Sequence, residues 1–120
     1  MEYRRLAESD LRLMNIIWDN EPIGSMRLVD VCLRELGWKK STTFTMLRKM
    51  CTKGLARNEK SVVTSVVPRS EVQRAESNLF VRQTFSGSLP GFLVSFMDGK
   101  TISEKEAEEL KRLIDEHREE

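Results

Sequence analysis

Residues 62–67 read Val-Val-Thr-Ser-Val-Val, a β-branched run too short to make a good helix. Before it stands a polar pair, Lys60-Ser61, and before that a second short segment, Leu55–Glu59. Two such runs about a polar turn read as a β-hairpin. Three amphipathic segments of helical period precede this hairpin, all within about 60 residues. That order restricts the chain to few folds, and a winged helix-turn-helix with the hairpin as wing satisfies it best.

The first segment, residues 9–20, places Leu11, Met14, Ile17 and Trp18 on one stripe, with Ser9 as N-cap and Asp10 in the first turn. Pro22 ends it, because the residue before a proline is pushed out of the helical region. Ser25 caps a second helix that runs to about Leu36, with Leu28, Val29, Cys32, Leu33 and Leu36 as its apolar side. Gly37 suits its C-terminal stop, and Trp38 packs under the third helix. That helix covers roughly 41–53. At 100° per residue, Thr43, Met46, Leu47, Met50 and Cys51 fall on one side. Ser41, Thr42, Thr45, Arg48, Lys49, Thr52 and Lys53 fall on the other, with Phe44 at the border.

Charge concentrates around this third helix. From Gly37 to Lys60 there are seven lysines and arginines against one acid, Glu59. Residues 1–67 carry a net charge of +4 and residues 68–120 a net charge of −3. A basic N-terminal part beside an acidic C-terminal part suggests a polyanion-binding half and a half with another task. A helix that reads DNA needs short hydrogen-bonding side chains near its N-terminus and cations around the rim. Ser41, Thr42 and Thr45 meet the first need; Lys39, Lys40, Arg48 and Lys49 meet the second. Phe44 either packs on the wing or touches a thymine methyl. Lys53 and Arg57 read equally as phosphate contacts or as solvated charges.

Beyond Pro68 the pattern is purely helical. Ser70-x-x-Gln73 and Ser103-x-x-Glu106 are capping boxes that open a fourth and a sixth helix. The fifth runs from Leu89 to Met97 and is apolar nearly all round. The sixth turns Ala107, Leu110, Leu113 and Ile114 inward. Some 50 residues cannot enclose this much apolar surface. A second copy of the chain is the simplest cover, since two-fold homodimers are the commonest soluble assembly. Leu79, Leu89, Phe92, Leu93, Phe96, Leu110, Leu113 and Ile114 are the candidate interface. The alternative is that these helices fold back onto the winged helix. The expected domains are residues 1–68, which bind DNA, and residues 69–120, which dimerise.

Other chemistry finds little support. The single histidine, His117, lies in a charged tail, so no Ser/His/Asp set can form, and no glycine loop of phosphate-cradling type is present. Cys32 and Cys51 sit at apolar helix positions and read as buried hydrophobes of a reducing compartment. No enzyme, cofactor or metal site is expected. No apolar run of 18 residues spans a membrane, and the first ten residues lack a leader's apolar core, so the expected location is cytoplasmic.

The ordered set Ser9–Trp18, Glu21-Pro22-Ile23, Gly37-Trp38, Thr42-x-x-Thr45-x-Leu47, Lys53-Gly54, Phe85–Leu89, Leu93–Phe96, Ser103-Glu104 and Glu108–Ile114 resembles the penicillinase repressor family of bacterial transcriptional regulators. The resemblance covers nearly the whole chain. It implies a mainly α fold with a small β-hairpin: a winged helix-turn-helix domain followed by a three-helix dimerisation domain. It also implies a homodimer that represses transcription from an inverted-repeat operator, with Ser41, Thr42, Phe44 and Thr45 on the DNA-reading face.

Three departures stand out. Lys39-Lys40 replaces the Ser-Pro of many relatives, and Phe44 replaces a basic residue. The hairpin also lacks an aromatic-rich second strand. In one branch of the family a sensor protease triggers cleavage within a motif similar to Leu93–Phe96. The matching bond here joins Ser95 to Phe96, where relatives carry Asn before Phe, and the same apolar run also reads as plain core. The copper-responsive branch uses C-terminal cysteines, and residues 52–120 contain none. A homodimeric repressor is therefore the leading expectation. The alternative is a winged helix that serves as a protein–protein module in a larger assembly.

Overall fold

A computed structural model describes residues 5–120. The opening residues 1–4, part of the stretch expected to lack a leader, lie outside them. The chain forms two compact units, one ending at Phe80 and the other spanning Val81–Glu120.

The first unit contains α1 (Glu8–Asn20), β1 (Ile23–Gly24), α2 (Ser25–Leu36), α3 (Lys40–Thr52), β2 (Ala56–Glu59), β3 (Val62–Ser65) and the larger part of α4 (Arg69–Phe85). Its core is one cluster. Leu13, Met14 and Ile17 of α1 meet Leu28 and Cys32 of α2, Leu47 and Met50 of α3, Val63 of β3 and Val72 of α4. Each large side chain buried this way contributes about 1.5–3 kcal/mol. α1 packs against α2, α3 and β3 at once, so its buried face is wider than the expected stripe. Leu13 and Ile16 are buried, while Leu11 and Trp18 are only half-buried.

The helix ends follow local chemistry. α1 begins one residue before Ser9, which therefore lies inside the helix and is not its N-cap. The Asp10 carboxylate reaches back and accepts a hydrogen bond from the Ala7 N–H at 3.1 Å, which makes Ala7 the capping position. At the other end Glu21 is extended (φ −67°, ψ 146°), as Pro22 requires. α2 stops at Gly37, whose φ of 68° only glycine adopts without strain. Its N–H donates to the Leu33 carbonyl at 3.0 Å. Ser25 and Ser70, expected to cap α2 and α4, also lie inside their helices, which start at Ser25 and Arg69.

The hairpin is part of a three-stranded antiparallel sheet in the order β1-β3-β2. Ile23 pairs with Val63 and Gly24 with Val62, and Asn58 faces Val63 from the other side. A two-residue strand carries no readable period, so β1 escapes any reading of the sequence alone. Polar contacts fix the sheet to α1. Glu21 accepts from the Ser65 N–H and hydroxyl, both at 2.8 Å, and Trp18 Nε1 donates to the Val67 carbonyl at 3.0 Å.

Asp10 is fully buried and joins α1 to α3. Lys53 Nζ donates to its Oδ2 at 3.1 Å, and Lys49 Nζ lies 3.1 Å from Oδ1. The Lys49 contact is off the line of a directed hydrogen bond, so charge holds it. Burial alone would raise the Asp10 carboxyl. The ammonium groups of Lys49 and Lys53 and the Ala7 N–H outweigh it, and the net effect is to lower it below its ordinary value.

In the second unit Ser88 caps α5 (Leu89–Met97) and Ser103 caps α6 (Glu104–Glu116). Their hydroxyls accept from Gly91 N at 2.9 Å and Glu106 N at 3.1 Å. Phe92 stands edge-on to Phe85, with ring centroids 5.5 Å apart, and 5.7 Å from Phe96. None of its described residues is buried. This corrects the expectation that Leu110, Leu113 and Ile114 point inward. They are 39%, 52% and 54% exposed, because so few residues provide nothing to cover them.

Asp10 ionises more readily folded than unfolded, so its contribution to stability is present above the ordinary carboxylate range and is lost as pH falls through its lowered folded pKa. Asp10→Asn should cost about 1–2 kcal/mol in urea unfolding at pH 7, and the gap to wild type should narrow below about pH 4. At the hairpin turn Lys60 and Ser61 both have left-handed φ, 51° and 63°. Ser61→Gly removes that strain and should stabilise the chain by about 0.5–1 kcal/mol in the same assay.

Candidate nucleic-acid interface

α3 is held by its inner side. Thr43, Leu47 and Met50 are buried, and Met46 and Cys51 pack half-buried against the core. Helical geometry then fixes what faces out. Ser41, Thr42, Thr45, Arg48 and Lys49 are exposed, as are Lys39 and Lys40 at the helix start. Phe44, at the border of the wheel, is half-buried against the core cluster. Trp38 packs there as well.

The start of α3 favours anions. Lys39 occupies the N-cap position in an extended conformation, and no side chain caps the helix. Its first N–H groups therefore keep their partial positive charge. No acidic residue stands in the first turn. Among the described residues Lys39, Lys40 and Arg48 have no acidic partner within ion-pair distance. The hydroxyls of Ser41, Thr42 and Thr45 stand beside them on an exposed surface. Such a face can donate to and accept from base edges while the cations meet phosphates.

Lys49 differs from the other candidates, because its ammonium group is paired with Asp10. Lys53 is paired with the same carboxylate. Sequence reasoning missed Asp10 here. It read the residue as a helix-start acid, and nothing in linear spacing shows that α1 and α3 meet at that point. On the wing Arg57 lies 3.4 Å from Glu59, and Lys60 sits at the turn.

The other candidate sites fall on the helices after the wing. Leu79 is half-buried on α4. In the second unit Phe92 and Leu93 are half-buried, and Leu89 and Phe96 are 57% and 53% exposed. Leu110, Leu113 and Ile114 of α6 are exposed as well. The Ser95–Phe96 bond lies in the last turn of α5 with both side chains exposed. Lys100 Nζ stands 4.1 Å from the centre of the Phe96 ring.

Cys32 and Cys51 are free thiols, and burial pushes both above their ordinary range. A groove of about 550 Å³ runs between α1 and the first part of α4, lined by Leu6, Leu11, Trp18, Val72 and Phe80; α3 does not contribute to it. No described helix is long and apolar enough to cross a membrane.

Comparison with known proteins fits this architecture. The family model described as penicillinase repressor matches residues 6–116. The penicillinase repressor of Bacillus licheniformis is 23% identical over 118 residues, covering 95% of this chain and 92% of the relative. An uncharacterised 16.5 kDa protein encoded in the ptsI 3′ region of Latilactobacillus sakei is 26% identical, over 91% of this chain and 77% of its own. Among solved structures, monomeric BlaI of B. licheniformis in complex with the blaP half-operator superposes with a TM-score of 0.50 at 22% identity. That match covers 58% of this chain and 90% of the other, and it shows a shared winged-helix fold. With a match that spans almost every residue, the chain belongs to the penicillinase repressor family.

Proposed function

We propose that this chain is a transcriptional repressor that binds duplex DNA through α3 and acts as a homodimer on an inverted-repeat operator. The observation that carries the reading is the division of α3. Thr43, Leu47 and Met50 lock the helix in place, and Ser41, Thr42, Thr45 and Arg48 are left exposed beside Lys39 and Lys40. Membership of the penicillinase repressor family supports the repressor function, and the half-operator bound to the B. licheniformis protein supports DNA as the ligand.

In this reading the N-terminal residues of α3 enter the major groove and offer hydroxyls to base edges. Lys39, Lys40 and Arg48 neutralise phosphates on either side. Two heads joined in one dimer meet half-sites about one helical turn apart, or a multiple of that. The second head then binds at high effective concentration. Support for the dimer comes from α5 and α6, whose exposed Leu89, Phe96, Leu113 and Ile114 resemble half of a core rather than a solvated face. A protein–protein module would suit the exposed lysines of α3 less well, since interface centres are depleted in lysine.

Three measurements test the reading. Binding to DNA selected from a random pool should weaken steeply with salt, with a slope of about −0.9 per neutralised phosphate, and a flat, weak response would leave the interaction-module reading standing. Arg48→Ala should weaken binding on all sequences and flatten that slope by about one unit, whereas Thr45→Ala should alter preference at one base pair by about 1–3 kcal/mol. Leu113→Glu should shift the chain from dimer to monomer in sedimentation without loss of helical signal, and a dimer that survives would rule α6 out of the interface.

A further inference from the structure

The basic residues of α3 are not equivalent. Lys39, Lys40 and Arg48 have no acidic partner among the described residues, whereas Lys49 and Lys53, one turn apart, grip a single carboxylate. That carboxylate belongs to Asp10, fully buried on α1. Oδ2 receives Lys53 Nζ at 3.1 Å together with the Ala7 N–H at 3.1 Å, and Oδ1 has only Lys49, at 3.1 Å. The two lysine side chains remain 44% and 38% exposed, so neither is sterically barred from swinging outward. If Lys49 did so, Oδ1 would lose its one close cation and the buried carboxylate would keep Lys53 alone, and weaker compensation of a buried charge is unfavourable.

We propose that Asp10 is a specificity-determining residue that never touches DNA: it withholds Lys49 and Lys53 from the phosphates, so that α3 meets the groove with its hydroxyl face and Arg48. The inference rests on the DNA-binding reading of α3 given under Proposed function. Phosphate contacts are blind to sequence, and every extra one raises affinity for all DNA alike. Two free lysines on the flank of α3 would lift non-specific binding and erode the margin that the hydroxyls provide. Asp10 thus acts as a positioning residue, through the lysines that it holds.

The test is a double-mutant cycle read in the salt slope rather than in affinity. Full-length wild type, Lys49→Met, Asp10→Asn and the double variant are titrated, over a salt series, with an unrelated mixed-sequence duplex and with a duplex selected from a random pool. General charge effects on the slope are additive and cancel in the cycle, as does any structural loosening that acts equally at all salt concentrations. Lys49→Met is expected to change the slope by well under one unit when Asp10 is present and to flatten it by about one unit in the Asp10→Asn background. Asp10→Asn is also expected to raise affinity for the unrelated duplex more than for the selected one, several-fold at low salt.

Equal slope changes in both backgrounds overturn the proposal. So does a one-unit flattening by Lys49→Met alone, which decides the matter even if Asp10→Asn fails to fold. Asp10→Ser, whose hydroxyl can still accept from the Ala7 N–H, provides a second neutral background. Failure of wild type to bind any duplex in a salt-dependent way defeats the DNA-binding reading itself, an outcome distinct from an additive cycle.

Discussion

A helix that buries Thr43, Leu47 and Met50 has no freedom over what it turns outward. α3 is packed between α1, α2 and β2, and its rotation about its own axis is set by those three side chains. Everything proposed for the surface depends on that rotation. A shift of one residue would turn α3 by 100° and exchange part of its hydroxyl face for Met46 or Leu47. The rigidity of the inner face is what gives the outer face a defined geometry.

Asp10 adds a second restraint of a different kind. The apolar core fixes α3 without directional bonds, whereas the buried carboxylate ties two particular lysines of α3 to the first turn of α1. A buried ion pair is weak evidence for stability, because desolvation offsets most of its attraction. Its effect here is on charge distribution. Of the basic groups around α3, Lys49 and Lys53 are paired internally, while Lys39, Lys40 and Arg48 are exposed and have no acidic partner among the described residues.

The second unit follows the opposite logic. α5 and α6 are well capped, by Ser88 and Ser103, and Phe92 packs edge-on to Phe85 and tilted against Phe96. Yet none of its described residues is buried. Local structure is complete and tertiary burial is not. That combination suits an element whose core forms only when a second copy supplies the other half, and it agrees with the proposed homodimer.

Local chemistry made much of this legible in advance. Helical period in residues 9–53, Gly37 as a stop, the β-branched run at 62–67 and the serine cap before α6 are each decided within a few residues. The division of α3 into an inner and an outer face was equally readable, because it needs only 3.6 residues per turn and the identity of Thr43, Leu47 and Met50. What the sequence could not decide depends on segments far apart in the chain. β1 exists only because Ile23 and Gly24 lie beside Val63 and Val62. Lys49 looked like any other surface lysine until α1 brought a buried carboxylate within 3.1 Å. Periodicity determines which face a side chain shares, but only tertiary packing decides what that face meets, because contact partners depend on distance in space and not on spacing along the chain.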